Sequence, residues 1–163
     1  MKMNDTPKEQ WIFRAHVVDR AGALTSIASA FSNEGVSIDT VVGHGFEERA
    51  HVDGSVVLTF TGTEEEKDKM VRKVKRLSKV TSLEEHPYEA EYLRKSAIIL
   101  ATRRLAPADV AGITSFLTSE LIQQDSHGWT YFLAGSPAEL DPVLERLESA
   151  GVVTDIVYSV LGM

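Results

Sequence analysis

Hydrophobic positions in the first half of the chain alternate between the spacing of strands and the spacing of helices. Leu24, Ile27, Ala28 and Phe31 fall at i, i+3, i+4 and i+7, which is one face of a helix, and Gly35 follows as a helix-ending residue. Short apolar segments on either side have the length and composition of strands. The pattern predicts strand 11–18, helix 23–34, strand 36–43, strand 54–61, a second helix after Thr63, and strand 80–84.

The second predicted helix has both a start signal and an apolar stripe. Thr63 and Glu66 have the spacing of a capping box, and Met70, Val74 and Leu77 lie on one helical face. The resulting order is strand, helix, strand, strand, helix, strand. This βαββαβ order places four antiparallel strands in one sheet with both helices on one face.

The same order recurs after a break at His86-Pro87-Tyr88, and the polar stretch up to Tyr92 is the predicted boundary. A helix is predicted over 107–118, with Val110, Ile113 and Leu117 facing inward. The other predicted elements of this half are strand 96–102, strand 120–125, a turn at His127-Gly128, strand 129–134, a helix after Ser136, and strand 152–160.

An N-cap serine, a first-turn proline and a capping-box glutamate mark the start of the last helix: Ser136, Pro137 and Glu139. Its apolar stripe is Leu140, Val143, Leu144 and Leu147, and Gly151 ends it. The sequence therefore predicts an α+β protein of two tandem βαββαβ units, residues 10–87 and 92–163, of which the second is divergent.

The composition is that of a globular chain, because 43% of the 163 residues are hydrophobic. A net charge of -7 argues against general nucleic-acid binding. A basic segment nevertheless follows three glutamates at 64–66; it contains Lys67, Lys69, Arg72, Lys73, Lys75, Arg76 and Lys79. Acidic residues before basic ones suit a helix macrodipole. This segment is either a solvated helix face or a docking surface for an acidic partner protein.

The chain has no cysteine, which excludes disulfides, thiolate metal sites and cysteine nucleophiles. The first ten residues are polar, and no apolar run has the length needed to cross a bilayer. We therefore expect a cytoplasmic protein with no membrane partner.

The turn at residues 19–24 is the most informative local feature. Gly22 precedes a predicted helix, and the first amides of a helix have no partner within it and carry positive potential. Such a helix start suits a small anion such as an amino-acid carboxylate, and Asp19 suits the ammonium group. The plainer interpretation is that Gly22 is a turn glycine.

This turn, together with Phe31-Ser32-Asn33-Glu34-Gly35-Val36-Ser37-Ile38, resembles the effector loop of ACT domains, which are small βαββαβ modules that sense amino acids. The resemblance implies effector-binding residues in the turn and in the next strand: Asp19, Ala21, Gly22, Ala23, Leu24, Ser37 and Ile38. It also implies that two ACT domains pair side by side. The effector would then lie between the Gly22 loop of one chain and the Ile38 strand of the other.

The whole chain is similar to the small regulatory subunit of acetolactate synthase. Two further segments carry this match, Tyr92-Leu93-Arg94-Lys95 and residues 131–136 with Leu140-Asp141. The resemblance implies an N-terminal ACT domain, a divergent C-terminal ferredoxin-like domain and a homodimer without an active site or cofactor of its own. It further implies that the chain activates a thiamine-diphosphate-dependent acetolactate synthase catalytic subunit and confers feedback inhibition by valine or a related branched-chain amino acid.

The chain departs from that family at Asp19 and Ser37, where asparagine is usual, and in the region from Leu105 to Thr118. Two other classes of function stay open. One is a free-standing tandem ACT sensor that acts on another regulatory protein, and the other is a small ferredoxin-like enzyme with a cavity over its sheet.

Other polar residues are weaker candidates. His44, Glu48 and His51 lie in one loop but lack the fixed spacing of a metal site, so no metal is predicted. His16 is predicted to be a hydrogen-bonded structural histidine rather than a catalytic one. Ser136 is predicted to be a helix N-cap rather than a nucleophile.

Overall fold

The computed structural model describes residues 6–18, 22–44, 54–113 and 117–161. Backbone contacts divide the chain into two compact units, Met1–Tyr88 and Glu89–Met163. Each unit contains one four-stranded antiparallel sheet. The predicted α+β class and the tandem βαββαβ arrangement are confirmed.

The first unit has six elements: β1 (Glu9–Val17), α1 (Ala23–Asn33), β2 (Ile38–His44), β3 (Gly54–Gly62), α2 (Glu64–Val74) and β4 (Val80–Pro87). Its strand order is β2-β3-β1-β4. The two outer strands, β2 and β4, are therefore the edges of this sheet.

Three phenylalanines form the centre of the first core. Phe13 of β1, Phe31 of α1 and Phe60 of β3 make edge-to-face contacts with centroid distances of 4.9 to 6.2 Å. Met70 and Val74 bring the buried side of α2 to the same core. Because all these side chains lie on one side of the sheet, α1 and α2 cover the same face, as the periodicity predicts.

Both helix signals of the first unit are confirmed, with one correction. Thr63 accepts a hydrogen bond from the Glu66 amide, and the Glu66 carboxylate accepts one from the Thr63 amide. Gly35, at φ 69°, ends α1. Leu24, however, is 43% exposed. The buried positions of α1 are Ala23, Ile27 and Phe31, so the buried stripe begins one residue earlier than predicted.

The second unit begins with β5 (Arg94–Ala101) and a 3₁₀ turn (Pro107–Val110), followed by β6 (Thr118–Asp125), β7 (Gly128–Gly135), α3 (Pro137–Ser149) and β8 (Val153–Leu161). Its strand order, β6-β7-β5-β8, matches that of the first sheet. Leu140, Val143, Leu144 and Leu147 of α3 pack on the sheet with Ala97, Ile99 and Leu133.

The predicted helix over 107–118 is wrong. Helical geometry stops after Val110, since Ala111 is extended with ψ 117°, and strand geometry begins at Thr118. Ile113, predicted to face inward, is 78% exposed. The residues after Ala111 include glycine and β-branched residues, which have low helix propensity. This low propensity opposes the helical spacing of the apolar residues.

The capping box predicted for α3 is also wrong, although Ser136 does occupy the N-cap position. The Ser136 side chain makes no capping bond. The Glu139 carboxylate instead accepts a hydrogen bond of 2.6 Å from the Ile113 amide. Glu139 therefore holds the segment after the 3₁₀ turn against α3.

Among the described residues, no helix is long and apolar enough to span a membrane.

Candidate functional site

The start of α1 has the geometry on which the predicted effector loop depends. Gly22 occupies the N-cap position at φ 85°, in the left-handed region that favours glycine. Its carbonyl accepts hydrogen bonds from the amide and the hydroxyl of Ser26. A glycine has no side chain with which to cap the first amides, so the helix start presents donors and positive potential. Ala23 is buried, whereas Leu24 is exposed at this end of the helix.

Lys79 lies beside the predicted effector loop and was not among the residues predicted from the sequence. A Cβ atom built on Gly22 lies 3.0 Å from the Lys79 ammonium nitrogen. The backbone agrees, since the Lys79 carbonyl accepts a hydrogen bond of 3.3 Å from the Val18 amide. An ammonium group and a helix start therefore meet at Gly22. The strand order explains this position. Because β4 neighbours β1, Lys79, the residue before β4, lies beside the end of β1.

Ser37 and Ile38 lie at the other end of α1. They line an open groove of about 430 Å³ together with Ala28, Phe31, Ser32, Gly35 and Val36. Eleven residues separate the two ends of the helix, which corresponds to roughly 16 Å at the helical rise. One chain therefore does not bring Gly22 together with Ser37 and Ile38.

The predicted residues Asp19 and Ala21 lie outside the described residues, as do Glu48 and His51. Gly22, Ala23 and Leu24 lie at one end of α1, and Ser37 and Ile38 lie at the other.

The edge strand β2 begins at Ile38, beside the groove. It pairs with β3 on one side and ends the sheet on the other. Val41 of this strand is 45% exposed. An edge strand carries backbone groups that can pair with a second strand.

Three of the seven residues of the basic segment, Lys67, Lys69 and Lys73, form ion pairs within the first unit. Lys69 and Lys73 both form ion pairs with Glu34, and hydrogen bonds from these ammonium groups lower the pKa of Glu34. Lys67 lies 2.8 Å from Asp68 and 5.0 Å from the centre of the Trp11 ring. These contacts favour the interpretation as a helix face over the docking surface.

His16 has the structural environment that was predicted for it. Its Nε2 lies 2.9 Å from the Glu84 carboxylate, and the Arg14 guanidinium lies 3.8 Å from the same carboxylate. The hydrogen bond with His16, with a smaller contribution from Arg14, lowers the pKa of Glu84. Among the described residues, no group of three metal-ligating side chains comes together.

Lys95 and Asp141, which belong to two of the segments that carry the sequence resemblance, form a buried ion pair in the second unit. Lys95 is 7% exposed, and its Nζ lies 2.5 Å from the Asp141 carboxylate and 4.2 Å from the centre of the Tyr158 ring. A buried ammonium group requires such a partner. Lys95 and Asp141 therefore have a structural role within the unit.

Searches of protein-family models and of curated proteins found no match to this sequence. Solved structures do match. The acetolactate synthase small subunit from Thermotoga maritima aligns with 95% of this chain and 96% of its own, at a TM-score of 0.67 and 14% identity. The two chains share a fold.

A weaker likeness exists to the ligand-free regulatory subunit of aspartate kinase from Thermus thermophilus. The alignment covers 90% of this chain and 93% of that one, at a TM-score of 0.47 and 14% identity. Similarity at this level carries no argument about function. The tandem βαββαβ fold therefore rests on the Thermotoga maritima protein and on the sheets described above.

Proposed function

We propose that this chain is a non-catalytic regulatory subunit that activates a thiamine-diphosphate-dependent acetolactate synthase, or a close relative, and confers feedback control by a branched-chain amino acid. The observation that carries the proposal is the likeness to the Thermotoga maritima small subunit over nearly the full length of both chains. The segments that resemble this family in sequence support the same function.

The proposed effector site needs two copies of the chain. Gly22 and Ile38 are separated by the length of α1, so one small amino acid cannot contact both within a single chain. The edge strand β2 gives the first sheet a means of pairing with a second copy. In that arrangement the Gly22 loop of one copy faces the Ile38 groove of the other.

The charges at the Gly22 end suit the carboxylate of an amino acid. The first amides of α1 supply hydrogen-bond donors, and the nearby Lys79 ammonium supplies a full positive charge. Asp19 is the proposed partner of the effector ammonium group. The exposed Leu24 side chain offers an apolar contact for an aliphatic effector.

Co-purification tests the proposed partner. The tagged full-length chain, expressed in its own organism, is expected to retain a thiamine-diphosphate-dependent enzyme that forms acetolactate and to sediment with it as one complex. Retention of a transcriptional or other regulatory protein instead would favour the free-standing sensor. Turnover of pyruvate by the chain after removal of all other proteins would contradict a non-catalytic role.

A further inference from the structure

On the helix side of the second sheet, no helix among the described residues packs over β6. Ser119 and Leu121 of β6 pair with Leu133 and Tyr131, whose side chains are buried in the core. Cross-strand partners share one face of a sheet, so Ser119 and Leu121 also face the helix side. Every position of β6 is nevertheless exposed.

The two units differ in the element that packs over this strand. In the first unit, α1 packs on β2, the strand that corresponds to β6. In the second unit, a four-residue 3₁₀ turn stands in place of that helix, and α3 packs on β5, β7 and β8. Here the structure has a cavity of about 610 Å³ that is open to solvent, lined by Arg104, Leu105, Pro107, Val110, Ser119 and Tyr131. This volume lies in the ordinary range for ligand sites, roughly 300 to 1,000 Å³.

Polar contacts hold the outer wall of this cavity in place. Arg103 makes two hydrogen bonds with the Asp109 carboxylate, of 2.7 and 3.0 Å. Arg146 of α3 donates to the carbonyls of Asp109 and Ala111, at 2.9 and 3.3 Å. Glu139 accepts from the Ile113 amide. These contacts therefore fix the 3₁₀ turn to α3.

The polar groups at the cavity are donors. The Tyr131 hydroxyl accepts a hydrogen bond of 3.0 Å from the Leu105 amide, which uses a lone pair of the phenol oxygen and leaves its proton to donate. Tyr131 is 7% exposed. Ser119 adds a second hydroxyl, and Arg104, an exposed residue of the same lining, is basic. The nearby Asp109 is neutralised by Arg103, and among the described residues that line the cavity none is acidic.

We propose that this cavity is a second small-molecule site, separate from the Gly22 loop, which binds a carboxylate with a short apolar chain. Arg104 pairs with the carboxylate, and the Tyr131 and Ser119 hydroxyls donate to it. Leu105, Pro107 and Val110 contact the apolar chain. The ligand needs no ammonium group here, because the described residues of the lining include no acidic side chain.

Ligand-observed NMR and calorimetry with 4-methylpentanoate test this site in the full-length chain. We expect saturable binding of the carboxylate and at least about tenfold weaker binding of the matched neutral 4-methylpentanamide. Arg104→Gln should weaken the binding of 4-methylpentanoate by a similar factor. Ser119→Trp should abolish its binding, because the indole ring fills the cavity. Arg72→Gln, which removes an exposed arginine of α2 in the first unit, is the matched control and should leave binding unchanged.

Three results would overturn the proposal. One is no binding of 4-methylpentanoate to the folded protein, and another is equal affinity for the carboxylate and the amide. The third is loss of binding in Gly22→Asp with no loss in Arg104→Gln, which would place the carboxylate at the effector loop instead. Failure of this second site leaves the proposed activation of a catalytic subunit intact, because that activity is measured separately.

Discussion

Gly22 and Lys79 are the two residues on which the proposed effector site most depends. Gly22 adopts a left-handed backbone conformation, and the Lys79 ammonium nitrogen lies 3.0 Å from the position of a Cβ at Gly22. The sequence predicts the first residue because a glycine at the junction of strand and helix is visible in the pattern. Lys79 comes from a distant segment, and strand order alone brings it to the loop.

Gly22→Asp should weaken effector binding at least about tenfold, because a Cβ and a second carboxylate enter the space beside the helix start. Activation of the catalytic subunit should largely survive. Isothermal titration against valine, leucine, isoleucine and smaller amino acids measures the effect. Gly151→Asp is the matched control, since Gly151 has a similar φ of 66° and open space around it. Unchanged affinity in Gly22→Asp would mean that the loop is a turn and the site lies elsewhere.

Lys79→Gln should lower effector affinity by about tenfold through loss of a charge-assisted contact with the carboxylate. The loss should shrink as salt rises, because ions screen a partly exposed charge. Lys75→Gln, a change of the same type in the same basic segment, provides the control. Equal losses in both variants would indicate a general effect of the basic segment and would contradict a specific role for Lys79.

At the scale of elements, the two units differ most where the first helix of each is expected. The spacing of Leu24, Ile27 and Phe31 predicts α1 correctly, apart from a one-residue shift of the buried stripe. The prediction succeeds because a glycine lies at each end of this helix, Gly22 before it and Gly35 after it. The spacing of Val110, Ile113 and Leu117 is equally helical, yet the 3₁₀ turn ends at Val110 and Ala111 is extended. Side-chain contacts with α3, from Glu139 and Arg146, stabilise this segment in a non-helical conformation, and contacts between distant residues are not visible in local spacing.

The Asp109 carboxylate gives the 3₁₀ turn a measurable dependence on pH. The Arg103 hydrogen bonds, and then the bond from the Ala106 amide, lower its pKa to about 2. A lowered pKa in the folded state stabilises the protein fully above the unfolded value of 3.8, and this stabilisation is lost as pH falls through about 2.

Asp109→Asn should therefore lower the free energy of unfolding by up to about 1 kcal/mol at neutral pH, because the pair with Arg103 is solvent-exposed and its charge is lost. Thermal unfolding of both proteins should converge below about pH 2, because the wild-type carboxyl is then neutral too. A difference between the two that stays constant from pH 7 to pH 2 would show that the charge of Asp109 contributes nothing.

At the scale of the whole molecule, two units of one topology carry different local features. The first has the glycine loop, Lys79 and an edge strand, and the second has the Lys95–Asp141 pair and the cavity under the 3₁₀ turn. The tandem order was readable from alternating periods and capping signals. The cavity was not, because it lies where the sequence predicts a helix and the described residues form only a 3₁₀ turn.

Residues 1–87 should fold and dimerise without the rest of the chain, since the first core is built within this unit. Sedimentation equilibrium of this fragment should give a compact dimer, with a circular dichroism spectrum of mixed helix and strand. A monomeric or unfolded fragment would mean that the second unit completes the core or the dimer interface.

The central claim is that this chain regulates an acetolactate synthase and performs no catalysis itself. The most direct test measures acetolactate formation from pyruvate by the catalytic subunit of the same organism, with thiamine diphosphate and Mg²⁺, before and after addition of this chain. We expect no product from the chain alone and a severalfold increase in the rate of the catalytic subunit, saturating as the complex fills. An unchanged rate at every ratio of the two proteins, or product formed by the purified chain alone, would contradict the claim.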